Sequence, residues 1–246
     1  MYLRDIGLYL EYKPNKEYID EVMLTQNLTK EEAMRLDYLE NCKDFHVLFG
    51  DQVRCIARLY TDILGKFKTE ETKKINIYCV TDLDKINSVP KTALGFTDVY
   101  VYIDLESYWK LSNMEKKKVV LGKINEGIIQ VANHYSWDIS PFNRVSKEIM
   151  DRNYVNEYLL KPKSSPDRKH KAEIFCQHDI DFITISMIIR ERKSNEMRKS
   201  ELLFKDRPHE LSFVQKLGDL KWISNREVTL THRYNLRKKW TVKMDE

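Results

Sequence analysis

Apolar and polar residues alternate along the C-terminal third of the chain. The clearest example lies within residues 180–192, where one set of alternate positions is wholly apolar: Ile183, Ile185, Met187 and Ile189. Period-two spacing rich in β-branched residues is typical of a strand with one or two buried faces. The same alternation, interrupted by short polar turns, predicts strands near residues 154–161, 170–177, 181–192, 197–206, 220–224, 227–234 and 238–243.

The N-terminal part of the chain mixes strand and helix patterns. Alternation predicts strands at residues 1–12, 74–81 and 99–104, the last with apolar residues on both faces, as a central strand has. Capping boxes at Thr29–Glu32 and Ser112–Glu115 predict the starts of two helices, because each hydroxyl can accept the amide of the glutamate that reaches back to it.

Further helices follow from apolar spacings of three and four. One is predicted from about Asp51 to Gly65, and one begins at Ser140–Pro141 with a serine cap and a proline in the first turn. The helix that starts after Ser112 has the longest apolar stripe: Val120, Ile124, Ile128, Val131 and Tyr135.

These elements predict an α+β fold. We expect an N-terminal α/β portion with several helices packed on a C-terminal antiparallel β-sheet of about six strands. The helix at residues 140–153 is the predicted seam between subdomains at 1–150 and 151–246, which could also form one continuous domain.

Composition removes several function classes. Seven glycines in 246 residues is under half of the usual frequency of about 7%, and none lie closer together than Gly122 and Gly127. A P-loop or a dinucleotide fingerprint needs clustered glycines, so both are excluded. The net charge of +4 is uneven, since residues 150–246 carry 21 basic and 15 acidic side chains. That asymmetry is milder than a dedicated nucleic-acid-binding protein usually shows.

Targeting and redox features favour the cytoplasm. The start of the chain lacks the pattern of a signal peptide, and no apolar run is long enough to span a bilayer, so no membrane partner is expected. The four scattered cysteines are expected to be free thiols in a bacterial-type cytoplasm.

Metal sites have little support. The long helix carries Glu126 without the histidine pair of a zinc peptidase, and Glu126, Gln130 and Asn133 fall on its polar side. Cys176 and His178 share one face of a predicted strand and are the candidate metal ligands, but zinc requires three or four. We favour the interpretation that Cys176 and His178 lie at the end of a strand that enters a turn, and we expect no cofactor.

Catalytic residues are also missing from the sequence pattern. Cys176 and His178 lie too far apart along one strand for a direct hydrogen bond, the other cysteines lie among apolar neighbours, and no Gly-x-Ser-x-Gly elbow is present. No catalytic residue is assigned, and the pattern leans away from an enzyme.

Two basic segments are the candidate binding residues. Each is predicted to form a hairpin tip that presents cations, with aromatic rings beside the second: Arg190, Arg192, Lys193, Tyr234, Arg237, Lys238, Lys239 and Trp240. Basic side chains at turns also keep hairpins soluble, and acidic neighbours weaken the first as an anion site.

The sequence is compatible with three functions. The first is a non-enzymatic protein-binding protein of accessory, inhibitor or immunity type, which recognises another protein through exposed aromatic and arginine side chains. The alternatives are a nucleic-acid-binding protein that uses the C-terminal basic hairpins and a hydrolase whose active site is assembled from distant residues.

Overall fold

The chain is an α+β protein made of two compact units. A computed structural model describes residues 1–86 and 88–245. The units comprise Met1–Tyr154 and Val155–Glu246. In the part of the chain so described, no helix is long and apolar enough to cross a membrane.

The N-terminal unit is built mainly from helices and a parallel sheet. Its elements are β1 (Tyr2–Leu3), β2 (Asp5–Leu10), α1 (Lys16–Gln26), α2 (Lys30–Asp37), α3 (Lys43–Leu64), β3 (Phe67–Lys68), β4 (Lys74–Val80), β5 (Lys91–Ala93), β6 (Phe96–Tyr102), α4 (Leu105–Lys110), α5 (Asn113–Tyr135) and α6 (Ser140–Asp151). A π-helical turn, Tyr38–Cys42, joins α2 to α3 without a break.

The sheet has the strand order β2-β4-β6-β5, with β2, β4 and β6 parallel and β5 antiparallel to β6. The predicted strands at 1–12, 74–81 and 99–104 correspond to β2, β4 and β6. The short β1 and β3 pair separately. β2 is therefore the terminal strand on one side of the sheet, and β5 borders the other.

The two faces of this sheet differ in chemistry. The side chains on one face, such as Ile6, Ile77 and Val99, are fully buried, because α3 and α5 pack against this face. On the opposite face, Tyr9 lies 5.9 Å from Tyr78 between ring centroids, and Tyr78 lies 5.5 Å from the next ring in the row, Tyr100. β6 is an interior strand of the sheet, as its apolar residues on both faces predicted, but Tyr100 and Tyr102 on the aromatic face stay partly exposed.

The long helix α5 confirms the predicted stripe. Its capping box at Ser112–Glu115 is formed, and Ile124 and Ile128 are at most 1% exposed. Gly127 lets the helix approach the sheet closely, because a Cβ there would lie 2.7 Å from Cδ1 of Ile77. Glu126 is exposed and forms an ion pair with Lys123 at 2.7 Å, as expected of a residue on the polar side.

Several helix boundaries differ from the prediction. α1 and α4 were not predicted; α1 buries only Ile19 and Val22, so its apolar period is short. α3 begins at Lys43, about two turns before the predicted start near Asp51. The prediction missed these turns because they carry exposed apolar residues, which obscure the spacing of three and four. The capping residue of α6 is Ile139 and not Ser140, which is the first helical residue.

The C-terminal unit contains two antiparallel sheets. Its elements are β7 (Asn156–Ser164), β8 (His170–His178), β9 (Ile183–Glu191), β10 (Met197–Asp206), α7 (Glu210–Phe213), β11 (Leu220–Trp222), β12 (Glu227–Thr231) and β13 (Lys239–Lys243). All seven predicted strands are present, but in sheets ordered β10-β9-β8-β7 and β11-β12-β13.

The expectation of one sheet of about six strands is therefore wrong. The segment between β10 and β11 contains α7 and a 3-10 turn, Val214–Lys216, so the chain leaves the first sheet before the second begins. Both sheets bury apolar side chains in one cluster, which includes Ile174, Ile185, Met187, Phe213, Val228 and Leu230. An indole N–H of Trp222 in β11 also donates to the carbonyl of Lys163 in β7 at 2.9 Å.

Candidate functional site

The first predicted basic segment forms the tip of the β9–β10 hairpin. Arg192 and Lys193 lie in its turn, while the Nε atom of Arg190 lies 4.0 Å from a carboxylate oxygen of Glu173. Arg198, on the other side of the turn, forms an ion pair at 2.8 Å with Glu191. Acidic partners therefore offset part of the positive charge at this tip.

The second predicted segment forms the β12–β13 hairpin. Tyr234, Arg237 and Lys238 are exposed in the connecting turn, and Lys239 begins β13. The Trp240 ring is half-buried; its centroid lies 4.8 Å from that of Phe204 and 6.3 Å from that of His232. Trp240 thus packs within the C-terminal unit, whereas Tyr234 presents its ring to solvent.

Cys176 and His178 lie on the buried face of β8, as their spacing predicted. The Nε2 atom of His178 lies 2.9 Å from the carbonyl oxygen of Pro208. Over residues 1–86 and 88–245, no group of three or more histidine, cysteine, aspartate or glutamate side chains is placed to hold a metal ion.

The feature that sequence reasoning missed is the outer edge of β2. The amide of Glu11 donates to the carbonyl of Cys79, so odd-numbered residues of β2 turn their backbone groups toward β4. The even-numbered residues, Leu8 and Leu10 among them, direct their N–H and C=O groups to the side on which no strand lies among residues 1–86 and 88–245. A guanidinium N–H of Arg54 reaches the Ile6 carbonyl from that side, at 3.4 Å.

The opposite side of the sheet is covered differently. β5 pairs with the first half of β6, and the Gln130 side chain donates to the Tyr100 carbonyl at 2.8 Å. Proteins usually cover or blunt the edges of their sheets, because unpaired backbone groups attract other strands. Arg54 covers the Ile6 end of the β2 edge, whereas Leu8 and Leu10 line a groove.

That groove has a volume of about 460 Å³ and runs between β2 and the first turns of α3. Tyr38, His46, Val47 and Gly50 line one side. The other side is the outer face of the sheet, with Tyr9 of β2, Asn76 and Tyr78 of β4 and Phe96 of β6. A Cβ atom added at Gly50 would have no heavy atom within 4 Å, so this stretch of the wall is formed by bare helix backbone.

His46 is held beside the groove by an edge-to-face contact with Tyr38, with 5.3 Å between ring centroids. Burial lowers the pKa of His46, because the protonated ring would lose hydration. At neutral pH the imidazole is therefore neutral and suits an apolar or hydrogen-bonding neighbour.

This lowered pKa makes stability depend on pH in a defined direction. The unfolded chain binds a proton at His46 more readily than the folded chain does. The contribution of neutral His46 to the free energy of unfolding is therefore complete above a pH of about 6.5 and declines as the pH falls below that value. We expect the urea midpoint of the wild type to fall, between about pH 7.5 and 5.5, by more than that of His46→Gln. Equal falls in the two proteins would contradict the assignment.

A second pocket adjoins the groove at the carboxyl ends of β2 and β4. Its volume is about 200 Å³, and it shares Leu10 and His46 with the groove. Its other walls are mostly apolar and include Cys42, Phe45 and Leu105. In open α/β sheets this is the edge at which ligands bind.

Several polar groups of this pocket have partners, although the Oε2 atom of Glu11 is buried without a hydrogen-bond partner among the described residues. The Glu11 carboxylate pairs with the Lys85 ammonium at 2.7 Å, and the Lys13 ammonium donates to the Thr81 hydroxyl at 2.5 Å. Burial, assisted by the nearby Asp37 carboxylate, raises the pKa of the Cys42 thiol, so the thiol is not activated as a nucleophile. The pocket is better suited to receiving an apolar side chain than to covalent catalysis.

Part of this site could have been recognised from the sequence. Gly50 lies inside a helix, and Phe45, Val47 and Leu48 are apolar yet at least 38% exposed. The exposed strand edge has no signal in the sequence, because pairing between distant segments decides which strand lies at the edge of a sheet. No protein-family model, curated protein or solved structure matches the chain.

Proposed function

We propose that this chain is a non-enzymatic protein-binding protein that captures an extended segment of a partner along the outer edge of β2. The observation that carries this proposal is the coincidence of a strand edge, Leu8 to Leu10, with a groove of about 460 Å³ that these residues help to line. Backbone groups at such an edge are satisfied by the backbone of an added strand.

An added strand would divide its side chains between the two walls. Successive side chains of a strand point to opposite faces, so one set would meet Val47 and Gly50 on α3 and the other would meet Tyr9. Main-chain hydrogen bonds then provide affinity, and the walls provide selectivity.

The adjoining pocket gives the segment an anchor. A chain that follows β2 to its carboxyl end reaches the pocket lined by Cys42, Phe45 and Leu105, where an apolar side chain can be buried. Buried anchors of this kind dominate the binding energy of many interfaces. Tyr9 and Tyr38 add rings of the type that is enriched at such contacts. An accessory, inhibitor or immunity protein acts through contacts of this kind.

Peptides selected from a random displayed library against the immobilised chain provide the test. The best peptide is resynthesised with one backbone amide N-methylated at a time, and each affinity is measured by calorimetry. Strand addition predicts a period of two, because only alternate amides of the peptide face β2. N-methylation effects without this alternation, or failure to select any peptide, would overturn the proposal.

A further inference from the structure

A basic pocket in the C-terminal unit is separate from the β2 groove. Its volume is about 470 Å³, within the range of roughly 300–1,000 Å³ that small-molecule sites occupy. Four cationic side chains line it, from β7, β11, the turn after β12 and β13: Lys161, Lys221, Arg233 and Lys239. Asp219 is the one carboxylate among the lining residues.

These cations differ from the others around them. Nearby, Lys216 pairs with Asp206 at 2.7 Å, and Lys199 pairs with Asp245 at 2.8 Å. Within the described part of the chain, none of the four pocket cations forms an ion pair with a carboxylate. Four cations gathered around one concavity with a single carboxylate repel each other and raise the local concentration of anions.

The backbone around the pocket is specialised to hold this arrangement. Lys161 occupies the left-handed region, with φ of 54°, at a register shift in β7. Bulges of this kind redirect a side chain and recur beside functional sites. On the floor, the amide of Gly218 donates to the Thr231 carbonyl at 2.9 Å, and a Cβ at residue 218 would lie 2.2 Å from that oxygen.

His232 adds a ring N–H donor to the lining. Its Nδ1 atom accepts the amides of Tyr234 at 3.2 Å and Asn235 at 3.1 Å. The ring proton therefore resides on Nε2, which is left as a donor. A pocket with four cations, a ring N–H donor and a single carboxylate matches a ligand that carries several acceptor oxygens and more than one negative charge.

We propose that this pocket binds a ligand with adjacent phosphate groups. Such groups occur in free phosphate chains, including those of nucleotides, and along a nucleic-acid backbone. Lys239 belongs to the hairpin whose sequence indicated an anion site, and the structure adds Lys161, Lys221 and Arg233 from other segments. This proposal does not depend on peptide capture at β2.

The test uses inorganic tripolyphosphate and a single-stranded oligothymidylate, each titrated into the full chain at about 0.15 M salt. Replacing Lys221 and Lys239 together by glutamine should weaken binding by about a hundredfold, since each of the two charged contacts removed costs about tenfold. The matched control replaces Arg192 and Lys193 by glutamine, which removes the same charge from the β9–β10 tip. Circular dichroism verifies that both variants are folded.

Both ligand sources have a defined outcome. Tripolyphosphate binding that depends on Lys221 and Lys239 supports a free phosphate chain, and oligonucleotide binding alone with the same dependence supports a nucleic-acid backbone. If neither probe binds, or if the control variant loses as much affinity as the pocket variant, the proposal is wrong.

Discussion

Replacing Gly50 by tyrosine should abolish peptide capture without unfolding the protein. Gly50 lies in α3 on the wall of the β2 groove, and no heavy atom lies within 4 Å of the position of an added Cβ. The ring would therefore extend into the space that an added strand needs. We expect selected peptides to bind at least about a hundredfold more weakly, equivalent to roughly 2.7 kcal/mol, as measured by calorimetry.

Two control variants separate obstruction of the groove from effects on the helix. Gly122→Tyr introduces the same side chain at another helical glycine without neighbouring atoms, in α5 and outside the groove lining. Gly50→Ala adds only a methyl group and should stabilise the helix by up to about 1 kcal/mol. Both should retain peptide affinity. Equal losses in Gly50→Tyr and Gly122→Tyr would show that the groove is not the binding site.

Replacing Ile128 by alanine should lower the free energy of unfolding by about 2–5 kcal/mol. The side chain is 1% exposed on the stripe of α5 that packs against the sheet, so its removal leaves a cavity as well as losing burial. The next residue provides the matched control, since Ile129 is 46% exposed on the same helix. Ile129→Ala should shift the urea midpoint by much less, and similar shifts in the two variants would contradict the helix register.

Elements with strong periodicity were predictable from the sequence. The strands of the C-terminal unit and the stripe of α5 are long, and burial of one face imposes the period that reveals them. α1 was missed because it buries only two residues, Ile19 and Val22. The division of the C-terminal strands into two sheets was also missed, because strand periodicity does not encode which strands pair.

The candidate sites depend on contacts between distant segments. The β2 groove requires β2 to end its sheet and α3 to border it, and neither fact is visible in the alternation of residues 5–10. The basic pocket assembles Lys161, Lys221 and Arg233 around Lys239, of which only Lys239 lay in a predicted binding segment. The local sequence therefore identified one residue of the basic pocket, and the other three were identified only from the fold.

Amide hydrogen exchange at Leu8 and Leu10 tests strand capture most directly. By the register of β2 on β4, the amides of Gly7 and Tyr9 are directed into the sheet, while those of Leu8 and Leu10 face the groove. In NMR exchange experiments on the free chain, the first pair should therefore exchange more slowly than the second. Saturation with a selected peptide should slow exchange at Leu8 and Leu10, because they become donors to the added strand. Unchanged exchange at both amides under saturation would contradict the account.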